Sequence, residues 1–209
     1  MTWESVVISG AVEGDVDEAV LRRLVEHVGA SLGPIYGKQG KTHLLQRLCG
    51  YDRAARHSPW VVLVDLDRDA DCAPPFRTSW LPNPAPLMCF RVVVRALETW
   101  LFADRERLAR FLSIATSRVP LDPESVDDPK RTMVDLARLS RRRDIREDMV
   151  PRQGSRRTVG PAYTSRLSEF ALDTTLGWRP DVAASTSPSL NRCLRCLSRL
   201  ARANPNSTP

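Results

Sequence analysis

WVVLVDLDRDADC, residues 60–72, is the stretch on which the fold turns. The run from Trp60 to Leu66 opens with five apolar side chains and no polar alternation, the pattern of a buried strand. It runs into Asp65, Asp67, Asp69 and Asp71, four carboxylates in seven residues. Two carboxylates ~6 Å apart repel by roughly 3 kcal/mol at an effective dielectric of 20. A chain that concentrates like charge where a core strand surfaces needs a counter-charge there. A divalent cation supplies one, and an all-oxygen donor set with room for water favours magnesium or manganese over zinc.

Outward from this strand, SVVISGAV (5–12) is a second buried run, stopped by Glu13-Gly14. Asp15, Asp17 and Glu18 then place acid in the first turn of a helix whose stripe is Leu21, Leu24, Val25 and Val28, ending at Gly29. A further helix is expected over 41–56 and a further strand over 88–94. Between them Pro74, Pro75, Pro82, Pro84 and Pro86 predict a loop without regular structure. Strands separated by helices at this spacing predict an α/β fold, a mostly parallel sheet flanked by helices. The rest reads as helical over 97–115, 129–139, 162–172 and 190–203, with an arginine-rich connection over 141–157. The expected organisation is an α/β core over 1–103, a helical extension packed on it over 104–203, and a flexible tail over 204–209.

The 209 residues are 42% hydrophobic and 27% charged, which suits one globular domain or a domain with an appended lobe. No apolar run approaches the ~20 residues needed to span a bilayer, and no basic-then-apolar leader opens the chain, so the expected compartment is the cytoplasm. Charge is uneven. Residues 1–129 carry 15 Lys and Arg against 18 Asp and Glu, a balance of −3, whereas 130–209 carry 16 against 7, a balance of +9. A basic C-terminal part suits a polyanion partner, with Arg141, Arg142, Arg143, Arg156 and Arg157 as the candidate nucleic-acid contacts.

In a parallel sheet, ligand-binding residues gather beyond the carboxyl ends of the strands. Glu13 follows the first strand and Asp65 ends a later one. Asp67, two residues on, is expected to face the same side along an extended chain. At these residues the sequence resembles the Toprim fold of topoisomerases, bacterial primases and the overcoming-lysogenization-defect nucleases. The resemblance implies a glutamate acting as acid/base or metal ligand at Glu13 and a magnesium-binding Asp-x-Asp at Asp65 and Asp67. Asp17, four positions after Glu13, matches a further acidic residue of those nucleases. VEGDVDE, VVLVDLDRD, RALETWLFAD, DDPK and SPSL together look like an uncharacterised bacterial Toprim-like family, domain of unknown function 4276, over nearly the whole chain. On that pattern Glu98 and Asp69 are further candidate metal ligands, and Lys130 is a candidate cation for the transition state. Glu98 also reads as a glutamate on an amphipathic helix, and the residues around Lys130 as a capped helix start.

The implied function is a magnesium- or manganese-dependent nuclease hydrolysing DNA or RNA, a reaction that suits an effector in phage defence. The alternative is a non-catalytic nucleic-acid-binding or regulatory subunit that partners a separately encoded ATPase. Topoisomerase and primase activity need domains that 209 residues do not supply. GKQGKT (37–42) is not a phosphate loop, because Ile35 stands where the motif needs glycine. Cys193 and Cys196 read as core residues of a helix rather than half of a zinc site, and His27, His43 and His57 receive no role.

Overall fold

A computed structural model describes residues 5–203, so the expected tail lies outside the described residues. The chain forms two compact units, residues 1–94 with 189–209, and residues 95–188. The last helix, expected in the C-terminal extension, therefore belongs with the sheet. The fold is α/β, a four-stranded parallel sheet flanked by helices, and the C-terminal half is helical.

In the first unit the strands are β1 (Val7–Val12), β2 (Ser31–Gly37), β3 (Trp60–Asp65) and β4 (Met88–Val93), in the order β2-β1-β3-β4. Every residue of β3 is buried, as its unbroken apolar run requires. Its alternate side chains serve two cores. Trp60, Val62 and Val64 pack with α2 (Lys41–Gln46), α3 (Leu48–Ala54) and α4 (Ala73–Trp80) through Leu44, Leu48, Tyr51 and Phe76. On α1 (Asp15–His27), the stripe of Leu21, Leu24 and Val25 is buried, and Leu21 lies where a side chain at Gly10 of β1 would stand.

The expected helix over 41–56 is interrupted at Arg47, which separates α2 from α3. The 74–86 stretch is not wholly irregular, because α4 carries Pro74 and Pro75 in its first turn. There a missing N–H costs no helical bond, and the fixed φ suits the helix. β2 has no counterpart among the strands expected from the sequence. Its SLGPIYG contains two glycines and a proline and it is only part-buried, an edge-strand composition that apolar patterning does not reveal. The β1–β2 register shifts between Ile8 and Gly10, opposite Gly33-Pro34, where proline has no N–H to donate to the ladder.

The second unit contains α5 (Glu98–Ala103), α6 (Arg105–Leu112), α7 (Pro129–Arg138), α8 (Arg143–Met149), α9 (Tyr163–Leu172) and α10 (Pro180–Ala184). α11 (Pro188–Arg202) follows and packs with the sheet unit. The single helix expected over 97–115 breaks at Asp104, whose side chain caps α6 by accepting from Arg107 N–H at 3.3 Å. The 141–157 connection contains α8, anchored by buried Ile145 and Met149. Trp100, Phe170 and Trp178 form the heart of this unit, and Trp178 Nε1 donates to the Trp100 carbonyl at 2.9 Å.

Candidate acidic site at the ends of β1 and β3

The chain leaves β1 toward β2 on one side and then crosses back to β3 on the other, so strand order reverses between β1 and β3. A crevice beyond the carboxyl ends at such a point is where parallel α/β sheets bind ligands. Glu13 and Asp65 occupy it. Glu13 Oε1 accepts the Asp65 backbone N–H at 2.8 Å, which ties the end of β1 to the end of β3 across 52 residues of sequence. Asp65 is 6% exposed and pairs in register with Val93 of β4.

Asp67 reaches the site by a different route from the extended one expected. It has φ 50°, in the left-handed region, so the chain turns after Leu66. Asp tolerates that conformation better than most residues. The turn carries Asp67 and Asp69 toward Lys41 Nζ, which hydrogen-bonds both carboxylates, Asp69 at 2.8 Å. The Lys41 side chain is 16% exposed, against 51% for Asp67 and 48% for Asp69. Burial works against its charge, but hydrogen bonds to Asp67 and Asp69, with the fields of Asp67 and Glu13, hold its pKa above the ordinary lysine value. Lys41 is therefore a cation at neutral pH, set among carboxylates from two strand ends.

The loop that presents Lys41 is GKQGKT. Gly37 and Gly40 have φ of 90° and 82°, and Lys38 has φ 60°. A Cβ at Gly37 would lie 2.3 Å from the Val12 carbonyl oxygen, so only glycine lets the loop fold onto the end of β1. Backbone bonds from Lys38 N–H to Val12 O and from Gly40 N–H to Glu13 O, 2.8 and 3.2 Å, secure that contact. Lys38 bridges Glu18 at 2.8 Å and Asp15 at 3.4 Å on the first turn of α1. Its hydrogen bond is the main cause holding the Glu18 carboxyl below its usual range. Asp17 lies half-buried on that turn, its carboxylate near Gly14.

Lys41 escapes the sequence because the phosphate-loop motif, which this loop fails, is the one template its glycines suggest. The usable signal is composition: the chain has three lysines, and two of them lie in these six residues beside an acidic crevice.

The remaining predicted residues belong to the other unit. Glu98 is buried and accepts from the Tyr163 hydroxyl at 3.0 Å, and burial with that neighbouring carboxylate pushes the tyrosine pKa up. Lys130 is exposed near the start of α7, where Asp128 caps the helix by accepting from Arg131 N–H at 3.0 Å. Arg141, Arg142, Arg143, Arg156 and Arg157 are exposed, with Arg142 paired to Asp144 and Arg143 to Glu147. In the sheet unit, Cys193 and Cys196 are buried on α11 and meet Cys89 of β4. Burial and the Cys193 sulfur raise the Cys89 thiol well above its ordinary pKa, so it stays protonated.

Among the described residues, no group of three His, Cys, Asp or Glu side chains has the arrangement of a formed metal site, and no helix is long and apolar enough to cross a membrane. Comparison of the chain with protein-family models, curated proteins and solved structures finds no match. What the geometry defines is a class, a parallel α/β protein with a lysine-bridged acidic crevice at its strand-order reversal.

Proposed function

We propose that the chain is a Toprim-type, magnesium- or manganese-dependent nuclease whose centre is the Glu13–Asp65 pair. The observation that carries this reading is the direct contact between Glu13 and Asp65, two acidic residues brought from distant segments to the ligand-binding end of the sheet. Glu13 and Asp65 supply the oxygen donors, and Asp67 completes them when Lys41 lets it go. A divalent ion held there would polarise a phosphodiester and lower the pKa of an attacking water. Lys41, released from Asp67 and still beside the site, faces the charge that develops on the phosphate oxygens. A proton leaving water has Glu13 as its nearest acceptor candidate at the end of β1.

Cleavage of plasmid and single-stranded DNA and of RNA, with magnesium or manganese against EDTA, tests the reading, with Asp65→Asn as the inactive control. Metal-dependent cutting by the wild type that Asp65→Asn abolishes is the expected result. Cutting that Asp65→Asn leaves intact places the chemistry elsewhere.

The Lys41 bridge favours a second reading. An acidic cluster already neutralised by a lysine suits a non-catalytic nucleic-acid-binding subunit of a separately encoded ATPase. Lys41→Met separates the two. It leaves carboxylates uncompensated, so in EDTA the variant should be less stable than wild type, by about 1 kcal/mol for a part-exposed ion-pair group. If the crevice takes a divalent ion, magnesium should then stabilise Lys41→Met at lower concentration than wild type in thermal unfolding, because ion and lysine compete for Asp67. No magnesium effect on either protein supports the non-catalytic reading.

A further inference from the structure

β4 is an edge strand of the sheet, with α4 and α11 flanking its open side. Two adjoining cavities of about 200 and 220 Å³ lie along it. Both are lined by Arg77 of α4 and Arg91 of β4. Arg192 of α11 completes the first, which also touches Val92 and Ala73 at the end nearer Asp65, and Arg199 of α11 completes the second. Neither cavity has an Asp or Glu in its lining.

The state of these arginines is unusual for a structural role. Nε of Arg77 and Nε of Arg91 are buried and make no hydrogen bond among the described residues. Arg91 has the sulfurs of Cys89 and Cys196 beside it, and Arg199 Nη2 meets Cys196 Sγ at 3.7 Å. None of the four forms a salt bridge among the described residues, whereas Arg142 and Arg143 are each paired with a nearby carboxylate. A partly buried guanidinium without an anion is costly. Arg77 and Arg91 are in that state, and with the exposed Arg192 and Arg199 lining the same groove they call for a ligand that brings the anion.

The donors approach from a strand and from helices on two sides, which suits a tetrahedral oxyanion better than a flat carboxylate with two oxygens. Arg192 and Arg199 lie two helical turns apart, about 10 Å at 1.5 Å per residue. A nucleic-acid strand carries a charge about every 3.4 Å of axis, so that span covers more than one phosphate.

We propose that the groove along β4, formed by Arg77, Arg91, Arg192 and Arg199, is a phosphate-binding site that holds the backbone of a nucleic-acid strand. It rests on the nuclease reading only for the choice of a strand over a small phosphate compound. Its chemistry does not require the acidic crevice to be catalytic.

The test is fluorescence anisotropy of a labelled single strand of about 12 nucleotides in EDTA, where cleavage does not contribute, as a function of salt. Arg192→Ala/Arg199→Ala, at two exposed helix positions, should keep the fold and weaken binding at least ~10-fold. The slope of log affinity against log salt should become shallower by about 1.4, since each phosphate of a single strand that a cation neutralises contributes roughly 0.7. Arg77→Gln should also weaken binding. Inorganic tripolyphosphate is the competing probe. Displacement only at millimolar concentration supports a strand. Tight tripolyphosphate binding that the Arg variants abolish, with no strand binding, supports the groove with a small phosphate compound as its ligand. Equal strand affinity and salt slope in wild type and Arg variants, or no binding of either probe, overturns the proposal. Strand binding through the groove without metal-dependent cutting sinks the nuclease reading alone, and cutting with the groove variants unaffected sinks the groove alone.

Discussion

Glu13→Gln is expected to lower metal-dependent cleavage by about 10²–10³-fold while leaving the fold intact. The substitution is informative because the proposed reading gives Glu13 two separable jobs. Its Oε1 accepts the Asp65 N–H at 2.8 Å, and a glutamine amide oxygen can accept the same hydrogen bond. What glutamine cannot supply is the negative charge and the basic oxygen. A residue acting in acid/base transfer typically contributes about 10²–10⁴ in rate, and a factor of 10²–10³ corresponds to about 2.7–4 kcal/mol in the barrier. Glu13→Ala removes the acceptor as well, leaving the Asp65 N–H at the buried strand end to find another partner. It should therefore lose stability in addition to activity, by roughly 1–3 kcal/mol. The measurements are the single-turnover cleavage rate and thermal unfolding of both variants. A glutamine variant that cuts at the wild-type rate reduces Glu13 to a clasp between β1 and β3 and removes it from the reaction.

The contrast between Glu13 and Lys41 shows how far one-dimensional patterning reaches. Glu13 and Asp65 are legible because each ends an apolar run, and a strand end is a local feature. Their contact depends on β1 and β3 being neighbours, which follows from the parallel sheet and its crossover connections rather than from either segment alone. β2 is what makes the strand order reverse there, yet it hides behind Gly33, Pro34 and Gly37, because an edge strand with a bulge has little apolar pattern to show. Asp67 falls in the correct neighbourhood through the wrong backbone. Period-two alternation assumes extension, and the left-handed φ at Asp67 replaces it with a turn. Lys41 requires a tertiary contact over 26 residues that no periodicity encodes. The helical unit repeats the pattern, with helix faces readable from spacing and the break at Asp104 not.

That break leads to the largest stability effect expected in the chain. The Asp104 side chain is wholly buried and gathers four donors: Arg107 N–H of α6, and Arg179 N–H, Nε and Nη2 at 3.0, 2.9 and 2.7 Å. The pairing with Arg179 spans 75 residues and is bidentate, the geometry in which a guanidinium and a carboxylate bond most strongly. It holds the Arg179 pKa above its ordinary value, with burial opposing and Glu106 at 2.9 Å assisting. Asp104→Ala takes away an N-cap, worth about 1 kcal/mol, and strands a guanidinium that is 31% exposed. Breaking a buried pair from one side costs about 3–5 kcal/mol, and the partial exposure of Arg179 puts the expected loss near the lower end, about 3 kcal/mol. Asp104→Asn keeps the cap and one acceptor and should lose less. Arg179→Met in the Asp104→Ala background should recover part of the loss, because it removes the stranded charge. Urea unfolding of the wild type, these three variants and the Arg179→Met single variant measures the coupling directly. A loss under about 1 kcal/mol for Asp104→Ala, no more than the cap alone, would mean that α6 and the segment at Arg179 are held by packing around Trp100 and Trp178 instead.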